Sequence, residues 1–72
     1  MEYQLKSTLV ARLRAMETAL SVSDLAELLS MGRNTMHVWV RSGKVPSYKI
    51  GNTIRIDPIE AADWLESRRM AA

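Results

Sequence analysis

The sequence predicts a mainly α-helical domain completed by one small β-hairpin. Apolar residues recur at spacings of three and four along most of the chain, the signature of helices with one buried face. Capping residues punctuate those segments: Ser21, Gly32, Gly43 and Asp57. The period shortens to two only between Tyr48 and Ile56, around a central Gly51-Asn52.

The first segment, residues 2–18, reads as a helix. Leu5, Leu9, Leu13, Met16 and Leu20 form one apolar stripe, and Glu2, Lys6, Arg12, Arg14 and Glu17 mostly fill the other face. A single stripe packs on something, either the domain's own core or another copy of the chain. A second helix starts at Ser21. Ser21 and Asp24 have the spacing of a capping box, in which each side chain satisfies a free backbone N–H. Leu20 and Leu25 can staple the entry to this helix, Leu25, Ala26, Leu28 and Leu29 face inward, and the helix ends near Ser30. The turn Ser30-Met31-Gly32 follows, with Gly32 as N-cap of a third helix spanning residues 33–42. Met36, Trp39 and Val40 are its buried side, while Arg33, Asn34, His37 and Arg41 lie opposite. Gly43 stands where a left-handed C-cap residue is wanted.

Val45-Pro46 bends the chain into the hairpin, residues 48–56. Gly51 in the first central place of the turn fits type II′. Ile50, Ile54 and Ile56 are expected to lie against the helices. The last helix opens with Asp57 as N-cap, Pro58 at the first helical position and Glu60 completing a second capping box. Ile59, Ala62, Trp64 and Leu65 are its expected inward residues, with Arg68 and Arg69 in its last turn, where cations suit the helix dipole. Trp39 and Trp64 fall on buried faces and read as core.

A chain of 72 residues supports one domain with one modest core. It has no cysteine, which excludes disulfides, thiolate metal sites and cysteine nucleophiles. His37 is the only histidine and cannot anchor a transition metal alone. There is no phosphate-cradling glycine loop, no paired metal ligand and no nucleophile elbow. No enzymatic activity, catalytic residue, metal, cofactor or small-molecule ligand is therefore expected. No run approaches the ~20 apolar residues that span a bilayer, and the mixed, polar N-terminus lacks the pattern of a secretory signal. No membrane partner is expected, and the localisation expected is cytoplasmic.

The net charge is only +2, but its distribution is informative. Both ends of the chain carry a slight excess of acids. Between Leu28 and Ile56 stand Arg33, Arg41, Lys44, Lys49 and Arg55, with no acid at all. Cations concentrated on one segment are the footprint of polyanion binding.

Two short helices joined by a tight turn containing glycine form a helix-turn-helix, and a hairpin directly after the second makes it a winged one. An α-helix fits the major groove of B-DNA, where each base pair shows a distinct pattern of donors and acceptors. Arg33, Asn34, Thr35 and His37 are then the candidates to meet bases or phosphates from helix 33–42. Arg41 and Lys44 are candidates for phosphate. Lys49, Asn52, Thr53 and Arg55 are those of the hairpin, which can lie on the backbone or enter the minor groove, with Tyr48 as a further wing contact. The expected partner is double-stranded DNA.

From Leu20 to Leu65 the chain resembles the excisionase and MerR-type winged helix-turn-helix domains of phage and bacterial regulators. The resemblance rests on Ser21 and Asp24, Ala26, Arg33-Asn34-Thr35-Met36, Trp39, Arg41-Ser42-Gly43-Lys44-Val45-Pro46, Gly51, Arg55, and the ending Asp57 to Trp64-Leu65. It implies a winged helix-turn-helix over residues 20–69; the helix in 1–19 that precedes it, and that packs on the core or on a partner, is not part of the shared pattern. It also implies an architectural or regulatory DNA binder, bacterial or phage-encoded and associated with the nucleoid. Excisionases of that family bind cooperatively at attachment sites, bend DNA and set the direction of a tyrosine recombinase, while close relatives are small transcription regulators. Other copies of the chain or a tyrosine recombinase are the implied partners beside DNA. Val38 and Gly32 depart from the pattern, standing where relatives often carry a basic or polar residue and a Ser or Thr cap. Val38 and the low net charge leave open a third reading, a protein-interaction module that has lost DNA binding.

Overall fold

Local capping chemistry sets most of the element boundaries. The computed structural model describes residues 8–70. It orders α1 (Leu9–Ala15), α2 (Val22–Leu28), α3 (Arg33–Arg41), β1 (Tyr48–Ile50), β2 (Thr53–Arg55) and α4 (Pro58–Glu66). This is a mainly helical winged helix-turn-helix with a helix in front. At α2 the capping box is complete. The Asp24 N–H donates to Ser21 Oγ at 3.0 Å and the Ser21 N–H donates to Asp24 Oδ2 at 3.1 Å.

Both helices of the motif end in the same way. After α2, Ser30 N–H donates to Glu27 O at 3.1 Å and Met31 N–H to Ala26 O at 2.8 Å. After α3, Gly43 N–H donates to Val40 O at 3.1 Å and Lys44 N–H to Trp39 O at 2.9 Å. Each pair is a Schellman motif, which satisfies carbonyls left free at the helix end and requires a left-handed residue. Gly43 supplies it after α3 at φ +83°, but after α2 the residue is Ser30 at φ +56°. Gly32, the other glycine available to the turn, sits in ordinary extended backbone (φ −67°, ψ 143°) as the N-cap of α3.

The antiparallel strands pair Tyr48 with Arg55, Lys49 with Ile54 and Ile50 with Thr53. Gly51 has φ +63° and Asn52 a negative φ, the signs of a type II′ turn. Beyond the hairpin, Leu20 and Ile56 exchange backbone hydrogen bonds at 2.9 and 2.8 Å, so the lead-in to α2 pairs with the base of the wing. The core gathers one large fully buried side chain from each region: Leu13, Leu25, Met36, Val45 and Ile56. Ala61 and Ala62 close it from α4. Trp39 and Trp64 meet edge to face, with centroids 6.3 Å apart and planes at 71°. Lys44 Nζ lies 5.6 Å from the Trp39 centroid, and the Arg68 guanidinium 5.2 Å from that of Trp64.

Several expectations change. Helix α1 stops at Ala15 rather than at residue 18, because Met16 turns extended (φ −76°, ψ 143°) and the chain must run on to pair Leu20 with Ile56. Its start is capped by Thr8, whose Oγ1 accepts from the Ala11 N–H at 3.0 Å. The expected beginning at residue 2 and Leu5 lie outside the described residues. Leu13 alone of the stripe is fully buried on the helix, Leu9 is 40% exposed, and Leu20 is buried through its bridge to Ile56. Ile50 is 64% exposed rather than packed in the core, because its cross-strand partner is Thr53, on the opposite face of the hairpin from Ile54, which packs against the core. In α4 Ala61 faces inward and Ile59 is exposed, since small side chains let α4 approach α1 closely. Glu60 does not close a capping box. Asp57 Oδ1 accepts from the Ile59 N–H at 2.8 Å, while Glu60 Oε2 accepts from the Tyr48 hydroxyl at 2.8 Å. Arg68 and Arg69 lie beyond the C-cap Ser67 rather than in the last turn. There Arg69 Nε binds Glu66 Oε2 at 2.7 Å and holds that carboxyl below the usual range.

Candidate nucleic-acid interface

The outward face of α3 is set by what its inward face buries. Met36 and Val40 are inside, with Trp39 half-buried beside them. At 3.6 residues per turn, Asn34, Val38 and Arg41 then point most directly outward. Arg33 and His37 flank them on one side and Thr35 on the other. All six are exposed. Lys49, Asn52, Thr53 and Arg55 are exposed on the hairpin.

An open hollow of about 380 Å³ joins the two elements. It is lined by Ser21, Val22 and Ser23 from the start of α2, His37 from α3, and Asn52 to Arg55 from the turn and β2. The fold thus brings His37 together with Asn52, Thr53 and Arg55. Arg33 stands one turn away on α3, with Nη1 3.5 Å from Ser23 Oγ. Arg41 continues the exposed stripe of α3 toward its C-terminal end. Lys44 is exposed but lies over Trp39, and neither it nor Lys49 lines the hollow. Arg55 Nη1 donates to the Ile54 carbonyl at 2.8 Å.

The Asp24 carboxyl is held below its usual range, chiefly by the Ser21 backbone N–H and then by the Ser21 side chain, with nearby Arg55 adding to the effect. Tyr48, expected as a wing contact, is committed elsewhere. Its hydroxyl donates to Glu60 on α4, and that hydrogen bond to a carboxylate raises the phenol above its ordinary value. Ser21 and Ser23 are the polar lining residues that were not among the expected contacts. The signal was present in the capping box itself, which marks where α2 begins, but a cap was the only role assigned to it.

Among the described residues no group of three or more His, Cys, Asp or Glu could hold a metal ion. No helix among them is long and apolar enough to cross a membrane.

Residues 19–69 match the family model described as "Helix-turn-helix domain". Comparisons with curated proteins and with solved structures give no match. Domains of the matched family bind DNA and are typically non-enzymatic. The matched residues hold both helices of the motif, the turn between them, the hairpin and α4, so the chain belongs to the excisionase-type helix-turn-helix domain family.

Proposed function

We propose that the chain binds double-stranded DNA with α3 in the major groove and the hairpin on the adjacent backbone or minor groove, as an excisionase-type recombination directionality factor of a phage or mobile element. The observation that carries this reading is the hollow in which His37 of α3 meets Asn52, Thr53 and Arg55 of the wing, inside a stretch of chain free of acids. Arg33 at the start of α3 meets a guanine edge or a phosphate, and Asn34 an adenine edge. Thr35 and His37 bond bases or phosphates beside them. Arg41, Lys44 and Lys49 neutralise phosphates. Arg55, Asn52 and Thr53 grip the strand beneath the wing.

Residues 20–69 form the DNA-binding unit in this reading, and 1–19 buttress it. The burial of Leu13 within a single chain supports a core role for α1 over a role in joining copies. Other copies of the chain along DNA and a tyrosine recombinase are the partners such a factor meets.

The test is fluorescence anisotropy on a mixed-sequence 30-base-pair duplex with Arg33→Glu/Arg55→Glu. Removing and reversing two phosphate-facing charges lowers affinity by about ten-fold or more at low salt, with circular dichroism showing an intact fold. Unchanged affinity in a folded double variant means that this face is not the DNA surface. On a selected site, permuted-probe mobility then separates the roles. A bend at the site agrees with an architectural factor, and straight DNA argues for a plain transcription regulator.

A further inference from the structure

Val38 has no packing reason to be valine. It is 60% exposed, and it is absent from the apolar residues that pack against the core. Its neighbours three and four residues away on the helix surface are Asn34, Thr35 and Arg41, all exposed. Valine is also a poorer helix former than alanine or the long polar residues, because its branched side chain has little rotamer freedom in a helix. Neither burial nor helix propensity accounts for it.

The position does account for it. Val38 lies opposite Met36 and Val40, in the middle of the nine-residue α3, so it reaches farthest from the core at the centre of the helix. Two isopropyl methyls stand there between Asn34 and Arg41. A major groove offers one apolar group to such a side chain, the C5-methyl of thymine.

We propose that Val38 is a specificity-determining residue that packs its methyl groups on the C5-methyl of a thymine at the centre of the bases that α3 covers, resting on the major-groove placement of α3 proposed above. Val38 then selects thymine against cytosine and against uracil, and it excludes water from the polar contacts made by Asn34 and Arg41 on either side.

The experiment begins with selection of a consensus duplex from a randomised 20-base-pair library by the wild-type chain. Each consensus thymine is then replaced singly by deoxyuridine, which removes only the methyl group. Anisotropy should find one central thymine at which the replacement weakens wild-type binding roughly four-fold, the value of one buried methyl. Val38→Ala, an exposed change to a better helix former, should bind thymine and deoxyuridine at that position within about 1.5-fold of each other. Val38→Thr, which keeps one methyl, should fall between them. Discrimination that survives unchanged in Val38→Ala, a consensus without a central thymine, or deoxyuridine replacement without effect anywhere overturns the role of Val38 and leaves DNA binding standing. Failure of the wild-type chain to bind any duplex overturns both readings, so the two failures are told apart.

Discussion

Serine and glycine occupy each other's preferred places in the turn of the helix-turn-helix. Ser30 takes the left-handed conformation at φ +56°, which costs an L-residue roughly 1–2 kcal/mol relative to the right-handed one. Gly32 takes the N-cap place, where its backbone is extended and its N–H partners lack a side-chain acceptor. A Cβ at Gly32 would meet nothing closer than Thr35 Oγ1 at 4.0 Å, so the space for serine exists. The exchange Ser30→Gly/Gly32→Ser should stabilise the chain by about 1 kcal/mol, most of it from Ser30. For a domain of this size that is a rise of roughly 4–8 °C in Tm. A thermal melt that shows no rise contradicts the left-handed assignment of Ser30. Tyr48 gives a second test at this scale. Its phenol is raised by the bond to Glu60, so the folded state holds that proton more tightly than the unfolded chain. The stabilisation is complete below the ordinary value of 10.0 and is lost as pH rises through the higher folded value. Wild type should therefore be more stable than Tyr48→Phe in urea at neutral pH, with the gap closing in strong alkali. A gap that is the same at both pH values would falsify the Tyr48–Glu60 link.

Among the elements, α1 is the one whose role the stripe of leucines left open. Leu13 is fully buried against the rest of a single chain, while Leu9 keeps 40% of its surface. Leu13→Ala should cost about 2–5 kcal/mol, a large share of the roughly 4–11 kcal/mol expected for a chain this long. Leu9→Ala should cost about 1 kcal/mol or less. Comparable losses at both positions, with a Tm that depends on protein concentration, would mean that α1 is buried against a second copy. The Arg14–Asp63 ion pair at 2.9 Å also joins α1 to α4, but it is exposed and adds at most about 1 kcal/mol. Legibility divides along the same line between local and distant contacts. The capping box of Ser21 and Asp24, the N-cap Asp57 with Pro58, Gly43 and the Gly51-Asn52 turn involve partners a few residues apart, and each stands where its spacing predicts. The Leu20–Ile56 bridge and the Tyr48–Glu60 bond join residues that only the folded topology brings together, so α1 is shorter than its stripe predicts and Glu60 serves Tyr48 instead of a capping box. The exposure of Ile50 was within reach, because counting by two across the hairpin places it with Thr53 and not with Ile54.

At the scale of the whole molecule, the polar face of α3 was legible as the complement of Met36 and Val40. The meeting of that face with the wing and with Ser21 and Ser23 was not, since it depends on how α2 crosses α3. The arrangement explains how a chain with a net charge of only +2 can face a polyanion. Among the described residues its acids are Glu17 between α1 and α2, Asp24 and Glu27 on α2, and Asp57, Glu60, Asp63 and Glu66 on or beside α4. The five cations between Leu28 and Ile56 are spread over α3, the loop after it and the hairpin. Binding should then be governed by counterion release from the phosphates those cations reach. The most direct test is the affinity of the wild-type chain for a mixed-sequence 30-base-pair duplex across a series of salt concentrations. A log–log slope of roughly −4 to −5 is expected, at about −0.9 for each phosphate neutralised. Absence of binding at low salt, or a slope near zero, would contradict DNA recognition by this face.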